Sequence, residues 1–189
     1  MNKKILAAAL GLAFSGAVFA QADTVQRDVN QQQRIEQGLQ SGQLNTREAA
    51  RLEREEAKVE RDQARALQDG KLSPAEKARL AREQNKVSRD IYREKHDAQT
   101  GNPNSPSSQR MQADVQRDVN QQRRIQQGLR SGELTNREAA RLERGQAHDS
   151  AIQARAGADG QVSAQEQRRM QKSENKQSRR IHREKHDTQ

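Results

Sequence analysis

The sequence predicts an all-α protein made of two copies of a helical module of about 75 residues, joined by a flexible linker. Residues 25–99 (the first copy) align without a gap to residues 115–189 (the second copy), with 45 identical residues in 75 positions. Helix start and stop signals recur four times. The chain also has no Cys and almost no aromatic residue from which another kind of core could be built.

The first element is an export signal. Lys3 and Lys4 give a positive start, residues 5–20 are uncharged and rich in Ala and Leu, and small residues precede cleavage positions after Ala20 or Ala22. This pattern is typical of a signal peptide at residues 1–20. No later stretch is apolar enough to span a bilayer. We therefore expect a periplasmic or secreted protein after signal-peptide removal.

Three helices are predicted in each copy, as a helical hairpin or three-helix module. In the first copy they lie near residues 24–39, 46–67 and 74–96, and their equivalents follow at an offset of 90. The first module covers residues 23–97 and the second covers residues 114–189. Residues 98–113 are rich in Gly, Asn, Ser and Pro without periodicity, which predicts a flexible linker.

The turns between these helices share one pattern. A Gly suited to a left-handed helix end is followed by Asn, Ser or Thr as N-cap, and Glu three residues later completes a capping box. The four sets are Gly42, Asn45 and Glu48; Gly70, Ser73 and Glu76; Gly132, Thr135 and Glu138; and Gly160, Ser163 and Glu166. A tight turn between two helices explains every residue of the pattern.

Apolar residues are sparse. Beyond residue 20, Val, Ile, Leu, Met and Tyr number 24 of 169 residues. Leu52 and Val59, and Leu80, Val87 and Ile91, form a narrow coiled-coil-like stripe. Acidic residues are expected on the exposed helical faces. So thin a stripe predicts a module of marginal stability, completed by self-association or by a partner.

The turns that read DGKLSPAE and DGQVSAQE resemble the second half of an EF-hand calcium loop. The resemblance implies weak Ca²⁺ binding through Asp69, Ser73, Glu76, Asp159, Ser163 and Glu166. Ca²⁺ takes six to eight oxygen ligands. Arg65 and Arg155 occupy the positions where such a loop would supply its first carboxylate.

The segments LNTRE, LSPAE and LTNRE also resemble the L-T-x-x-Q motif of small periplasmic stress proteins of the CpxP/Spy type. Those proteins are exported, all-helical, ATP-independent chaperones or signalling modulators. This sequence has Glu where that motif has Gln, and it is duplicated. The resemblance implies a chaperone-like or envelope-stress role, with unfolded or envelope proteins as partners.

Charge differs between the two copies. Residues 21–100 carry 16 basic and 15 acidic residues, whereas residues 101–189 carry 17 and 11. The excess lies in the last predicted helix, which is either a solvated face or a surface for anionic envelope components. Its cations are Arg168, Arg169, Lys172, Lys176, Arg179, Arg180, Arg183 and Lys185. Nucleic acid is not expected, because Tyr92 alone could stack on a base beyond residue 20.

His182 and His186 lie four residues apart, so both imidazoles fall on one helix face and could bind Zn²⁺ with a third ligand. No thiol, nucleophile motif or phosphate loop points to catalysis, and no cofactor is expected beyond weakly bound Ca²⁺ or Zn²⁺. The sequence thus predicts an exported, non-enzymatic helical binding protein with a chaperone-like or envelope-stress role. The alternative is a divalent-cation-binding protein that uses the DGxLSxxE turns or the histidine pair.

Overall fold

The computed structural model describes the backbone of residues 15–187 and the side chains of residues 21–187. This part of the chain is all-helical and has no strand, which confirms the predicted class. The six helices are α1 (Ser15–Ser41), α2 (Thr46–Ala66), α3 (Pro74–Lys95), α4 (Pro106–Ser131), α5 (Asn136–Ala156) and α6 (Ala164–His186). Of the predicted signal peptide, residues 1–14 lie outside the described residues, and residues 15–20 belong to α1.

The helix starts follow the predicted pattern, and so do two of the four helix ends. Gly42 and Gly132 directly follow α1 and α4 with φ angles of 76° and 77°. α2 and α5 end earlier than the pattern predicts, at C-caps three residues before Gly70 and Gly160, which have φ angles of 85° and 89° within the turns. A capping box closes the N-terminus of α2, α3, α5 and α6, with the N-cap side chain accepting the third helical N–H and the Glu side chain accepting the N-cap N–H. These turns are local structures, so their residue types alone are enough to specify them.

The two copies pack against each other through their first two helices. α1 lies mainly against α4, and α2 lies mainly against α5. α2 and α5 are antiparallel: Arg47 at the start of α2 donates to the Asp159 carbonyl beyond α5 at 2.7 Å, and Arg137 at the start of α5 donates to the Asp69 carbonyl beyond α2 at 3.4 Å. α1 and α4 are also antiparallel, since Gln112 near the start of α4 donates to the Leu39 carbonyl near the end of α1 at 3.4 Å. These four helices form a bundle with approximate twofold symmetry. The apolar residues of α1 and α2 are therefore covered largely by α4 and α5 of the other copy.

The third helix of each copy lies on the outside of this bundle. α3 packs across α1 and α2, and α6 packs across α4 and α5. The guanidinium of Arg34 donates to Oγ and the carbonyl of Ser88 at 2.7 and 3.0 Å. Arg124 makes the same two contacts with Ser178 at 2.8 and 3.3 Å. The same polar clamp thus fixes both outer helices and leaves their opposite faces in solvent.

The connection between the copies is shorter than the predicted linker at residues 98–113. Residues 106–113 belong to α4, because Ser105 is its N-cap and Pro106 its first residue. The remaining segment runs along the α1–α2 turn, where the N–H of Gly101 donates to the carbonyl of Gly42 at 2.8 Å. Composition indicated a linker here, but Ser-Pro is also a helix start signal, and that signal determines the boundary.

Two apolar clusters lie at opposite ends of the bundle. One includes Ile35 of α1 and Met111 of α4, and the other includes Val25 of α1 and Ile125 of α4. The middle of the bundle, between these clusters, is lined by buried Gln, Asp and Glu side chains. The interior is therefore apolar at its ends and polar at its centre.

Candidate functional site

The turn that follows α2 holds its predicted calcium ligands in a helix cap. Asp69 Oδ1 accepts the N–H of Lys71 at 2.9 Å. The N–H and Oγ of Ser73 both donate to Glu76 Oε2, at 3.0 and 2.5 Å. These hydrogen bonds lower the pKa of Glu76. The carboxylates of this turn are thus engaged by the chain itself.

The turn that follows α5 repeats this arrangement. Asp159 Oδ1 accepts the N–H of Gln161 at 2.9 Å, and the N–H and Oγ of Ser163 donate to Glu166 Oε2 at 2.8 and 2.7 Å. The guanidinium of Arg47 donates to the Asp159 carbonyl, so a cation already lies on this turn. Within residues 21–187, neither turn belongs to a group of three converging metal ligands.

The predicted histidine pair is stacked at the end of α6. The rings of His182 and His186 lie 4.2 Å apart with an angle of 14° between their planes, and His186 Nδ1 lies 2.7 Å from the His182 carbonyl oxygen. In the first copy, Tyr92 and His96 stack in the same way at 4.1 Å. The same stacking therefore forms in the first copy, where the pair contains only one metal-ligating side chain. No third ligand joins the histidines among the described residues.

Three carboxylates meet where the N-terminus of α2 approaches the C-terminus of α3. Among residues 21–187, Glu48, Glu94 and Asp97 are the one group of three possible metal ligands whose ligand atoms all lie within 4.8 Å of one another. Glu48 is 1% exposed, and its Oε1 has no hydrogen-bond partner. Burial and the charges of Asp97 and Glu94 raise the pKa of Glu48. Arg51 pairs with Glu94 at 3.2 Å.

The cations of α6 that the sequence singles out lie mostly in solvent. Arg180 and Lys185 are half-buried, and Lys185 pairs with Glu133 at 3.1 Å. The other six are exposed, and none of them forms an ion pair or hydrogen bond within the described residues: Arg168, Arg169, Lys172, Lys176, Arg179 and Arg183. Exposed acidic side chains are nearly absent from this face, since Glu174 and Glu184 are both buried.

Ion pairs neutralise part of the equivalent surface of the first copy. Lys86 Nζ of α3 lies 2.7 Å from Glu55 of α2 and 2.6 Å from Asp90. Lys58 Nζ of α2 lies 3.0 Å from Glu83 of α3. Exposed ion pairs of this kind add little stability. Their consequence here is electrostatic, because each lysine has an acidic neighbour.

The second copy lacks these acidic partners. Gly145 stands at the position equivalent to Glu55, Ser173 at that of Glu83, and Arg180 at that of Asp90. Lys176, the equivalent of Lys86, consequently has no ion-pair partner within the described residues. The second copy thus has an unpaired lysine and an additional arginine where the first copy has ion pairs.

Buried carboxyl groups fill the centre of the bundle. In the first copy, the amides of Gln63 and Gln84 donate to the two carboxylate oxygens of Asp28, at 2.5 and 2.7 Å. Gln32 donates to Glu53 at 3.0 Å. All five side chains are at most 2% exposed.

The second copy repeats the network and joins it to the first. Gln153 donates to Asp118 at 2.6 Å, and Gln122 donates to Glu143 at 3.4 Å. Gln122 also donates to Glu60 of the first copy at 2.9 Å. Glutamine suits this interior because its amide supplies the donors that carboxylates lack.

Burial raises the pKa of these carboxyl groups. The pKa is about 7 for Asp28, Glu53 and Asp114, about 6 for Asp149 and about 9 for Glu174. It is raised well above its ordinary range in four more: Glu56, Glu60, Asp118 and Glu143. Removal from water is the main cause in every case, because it penalises the charged form.

The expectation that acidic residues lie on exposed faces is wrong for this group. A signal was present in the sequence: Glu56 lies four residues after Leu52 and three before Val59, so it occupies a position on the apolar stripe itself. Gln32 interrupts the stripe of α1 in the same way. Polar residues in register with an apolar stripe indicate a polar core layer.

No protein-family profile, curated protein or solved structure matches this chain. Of the helices within residues 15–187, none is both long enough and apolar enough to cross a bilayer. A functional proposal therefore rests on the chemistry of the surface and of the interior.

Proposed function

We propose that this protein is an exported, non-enzymatic binding protein whose α6 face binds the anionic phospholipid headgroups of the cell envelope. The observation that carries the proposal is the row of exposed, unpaired cations along α6. Arg168, Lys172, Arg179 and Arg183 recur at spacings of four, seven and four residues, so they lie along one side of the helix. A row of cations about 22 Å long suits a flat anionic surface.

Comparison of the two copies supports this assignment. Both copies form three corresponding helices, so the fold alone does not require α6 to lack acidic partners. The differences at Gly145, Ser173 and Arg180 all act in one direction, toward positive potential. A solvated helical face needs no such bias, because mixed charge keeps a helix soluble equally well.

A chaperone-like role needs an apolar surface that clients can reach. Tyr92 is the exposed large apolar side chain of residues 21–187, with 61% of its surface accessible. The apolar stripes are covered within the bundle, so clients would bind only after the helices separate. Binding of anionic lipid, by contrast, uses side chains that are already exposed.

The test is binding to lipid vesicles by two charge-matched variants. In the first, Arg169, Lys172 and Arg179 of α6 are changed to Gln. In the second, their first-copy equivalents on α3 are changed to Gln: Arg79, Arg82 and Arg89. Both variants lose three exposed cations and no ion pair. Vesicles contain phosphatidylglycerol in phosphatidylcholine, with pure phosphatidylcholine for comparison.

We expect the α6 variant to bind the anionic vesicles about a hundredfold more weakly, because each Lys or Arg near such a surface contributes about 1 kcal/mol. The α3 variant should lose less than about tenfold, and binding of the unchanged protein should fall with rising salt. Equal losses in the two variants, or equal binding to pure phosphatidylcholine, would contradict the proposal.

A second candidate function is divalent-cation binding at Glu48, Glu94 and Asp97. The unpartnered, buried Oε1 of Glu48 favours it, because a carboxylate oxygen removed from water needs a proton, a donor or a cation. The site lies away from the predicted DGxLSxxE turns. Asp97 joins it where the chain leaves α3 toward the connection.

The melting temperature tests this second candidate. At a Ca²⁺ or Mn²⁺ concentration ten times the dissociation constant, it should rise by about 3–6 °C. Glu48→Gln should abolish the rise, whereas Glu138→Gln, the equivalent change in the second copy, should keep it. No rise with either ion up to about 10 mM, roughly ten times the dissociation constant of the weakest protein calcium sites, excludes the site.

A further inference from the structure

We propose that a cleft between α5 and α6 binds a phosphate group. This inference rests on the proposed function, since it assigns one headgroup phosphate to a defined position on the α6 face. The cleft has a volume of about 330 Å³. We call it the basic cleft, and its lining residues include Arg144, His148, Asp149, Ser173, Lys176 and Arg180.

The basic cleft lies where two carboxylates of the first copy have no counterpart in the second. In the first copy, Glu55 reaches across from α2 to Lys86, and Asp90 approaches Lys86 from within α3. At the equivalent places the second copy has Gly145 and Arg180. Lys176 therefore lacks the two carboxylates that pair with its equivalent, Lys86, and Arg180 adds a second cation.

Packing around Gly145 keeps this space open. A Cβ atom at position 145 would lie 2.0 Å from Oε1 of Gln177. Gln177 is buried and donates to the carbonyl of Leu142 at 2.8 Å, so it is held in that place. A side chain at position 145 therefore cannot refill the cleft without displacing a core glutamine.

The donors that line the basic cleft suit a phosphate group. Arg144 and Lys176 are exposed, and Arg180 is half-buried. Two guanidinium groups can each donate a pair of parallel hydrogen bonds to phosphate oxygens, and the ammonium adds a point charge. His148 supplies a further N–H donor.

One carboxyl group also lines the basic cleft. Asp149 is 2% exposed, accepts a hydrogen bond from Ser173 Oγ, and lies near enough to Arg180 to feel its charge. Burial raises its pKa to about 6. Its negative charge opposes a bound anion at neutral pH, so replacing it with Asn should strengthen phosphate binding.

The experiment is a titration with inorganic phosphate at constant pH and ionic strength, followed by the ring proton signals of His148 in NMR spectra. The chain contains four histidines, and His96 on α3 serves as an internal control. Arg180→Asp restores the first-copy residue beside the cleft lysine. Arg168→Asp makes the same change of charge outside the cleft.

We expect a saturable shift of the His148 signals and little change at His96. Arg180→Asp should weaken phosphate binding about tenfold or more, Arg168→Asp less than about twofold, and Asp149→Asn should strengthen it severalfold. Shifts that rise linearly and equally at both histidines overturn the inference. Equal effects of the two arginine variants also overturn it.

Vesicle binding distinguishes this inference from the proposed function. If anionic vesicles bind through α6 while His148 shows no saturable shift, the proposed function stands and the basic cleft does not hold the phosphate. If His148 responds to phosphate while vesicles do not bind, the lipid function fails and the cleft belongs to a soluble phosphate compound.

Discussion

Glu56 is a buried carboxyl group that forms no side-chain hydrogen bond. It is fully buried in α2, and neither of its carboxylate oxygens has a hydrogen-bond partner within residues 21–187. Burial and the charges of Asp28, Glu60 and Glu53 raise its pKa well above the ordinary range. The second copy has Gln146 at this position, which shows that the fold accommodates an amide there.

We predict that Glu56→Gln stabilises the protein at pH 8 by about 1–3 kcal/mol, because it removes a buried group that resists ionisation and adds donors for neighbouring carboxylates. Urea unfolding followed by circular dichroism measures the change. At pH 4.5 the carboxyl group is already protonated, so the gain should largely disappear. A loss of stability at pH 8 would show that Glu56 has a partner other than a proton.

The α1–α2 turn has a role that its equivalent in the second copy, the α4–α5 turn, does not have. Gly42 and Gly132 have the same left-handed conformation, with φ angles of 76° and 77°. A Cβ atom at Gly132 would meet nothing within 4 Å, whereas one at Gly42 would lie 2.9 Å from the carbonyl oxygen of Gly101. The first turn therefore holds the connection between the copies in addition to ending a helix.

We predict that Gly132→Ala lowers the free energy of unfolding by about 1 kcal/mol, through the left-handed backbone alone. Gly42→Ala should lower it by about 2–3 kcal/mol, because the new methyl group also displaces the chain at Gly101. The two variants are compared by urea unfolding under identical conditions. Equal losses would mean that contact with the connection adds no stability.

These elements also mark what the sequence could and could not predict. The turn formed by Gly160, Ser163 and Glu166, like the other three turns of this pattern, depends on neighbouring residues alone. The sequence therefore predicts where the next helix starts. The cluster of Glu48, Glu94 and Asp97 forms because of the path that the chain takes after α3. No local sequence pattern specifies that path. The cationic residues of α6 were predicted, but the basic cleft was not, because Arg144 and His148 belong to a different helix.

At the scale of the whole molecule, the duplication explains how so few apolar residues fold. Sequence alignment reveals two copies, but the same stripe can be buried within one copy or against the other. Pairing α1 with α4 and α2 with α5 creates one shared interior, in which Gln122 of the second copy donates to Glu60 of the first. The polar layer thus joins the two copies, and each apolar cluster also contains residues of both.

A shared interior of carboxyl groups makes stability depend on pH. In the unfolded chain, Asp and Glu have pKa values near 4. In the folded protein the pKa is about 7 for Asp28 and Glu53 and about 9 for Glu174. Between these values the folded state binds more protons, so the free energy of unfolding falls as the pH rises. The stabilisation is complete below about pH 4 and is lost as the pH rises through about 6–9.

At low pH a smaller effect acts in the opposite direction, and the free energy of unfolding falls as the pH falls. The pKa values of Glu76 and Glu133 are lowered by hydrogen bonds, so their contribution is lost as the pH falls below the unfolded value near 4. The chain also carries a formal net charge of +9 at pH 7, which grows as carboxylates are protonated and increases repulsion. Stability should therefore be greatest on the acidic side of neutrality, near pH 5.

Thermal unfolding at pH 5 and pH 8, at equal ionic strength, tests this expectation. The melting temperature should be higher at pH 5, and the helices should separate first where the buried carboxyl groups repel one another. A variant with Asp28→Asn, Glu53→Gln and Glu56→Gln should lose most of the difference, because it keeps the size of each side chain and removes its titration. A variant in which the half-buried Glu76 and Glu83 are changed to Gln should keep the difference. A melting temperature that is the same or higher at pH 8 would mean that the buried carboxyl groups are ionised and neutralised in the folded protein, and cation binding in the interior would then be the first explanation to examine.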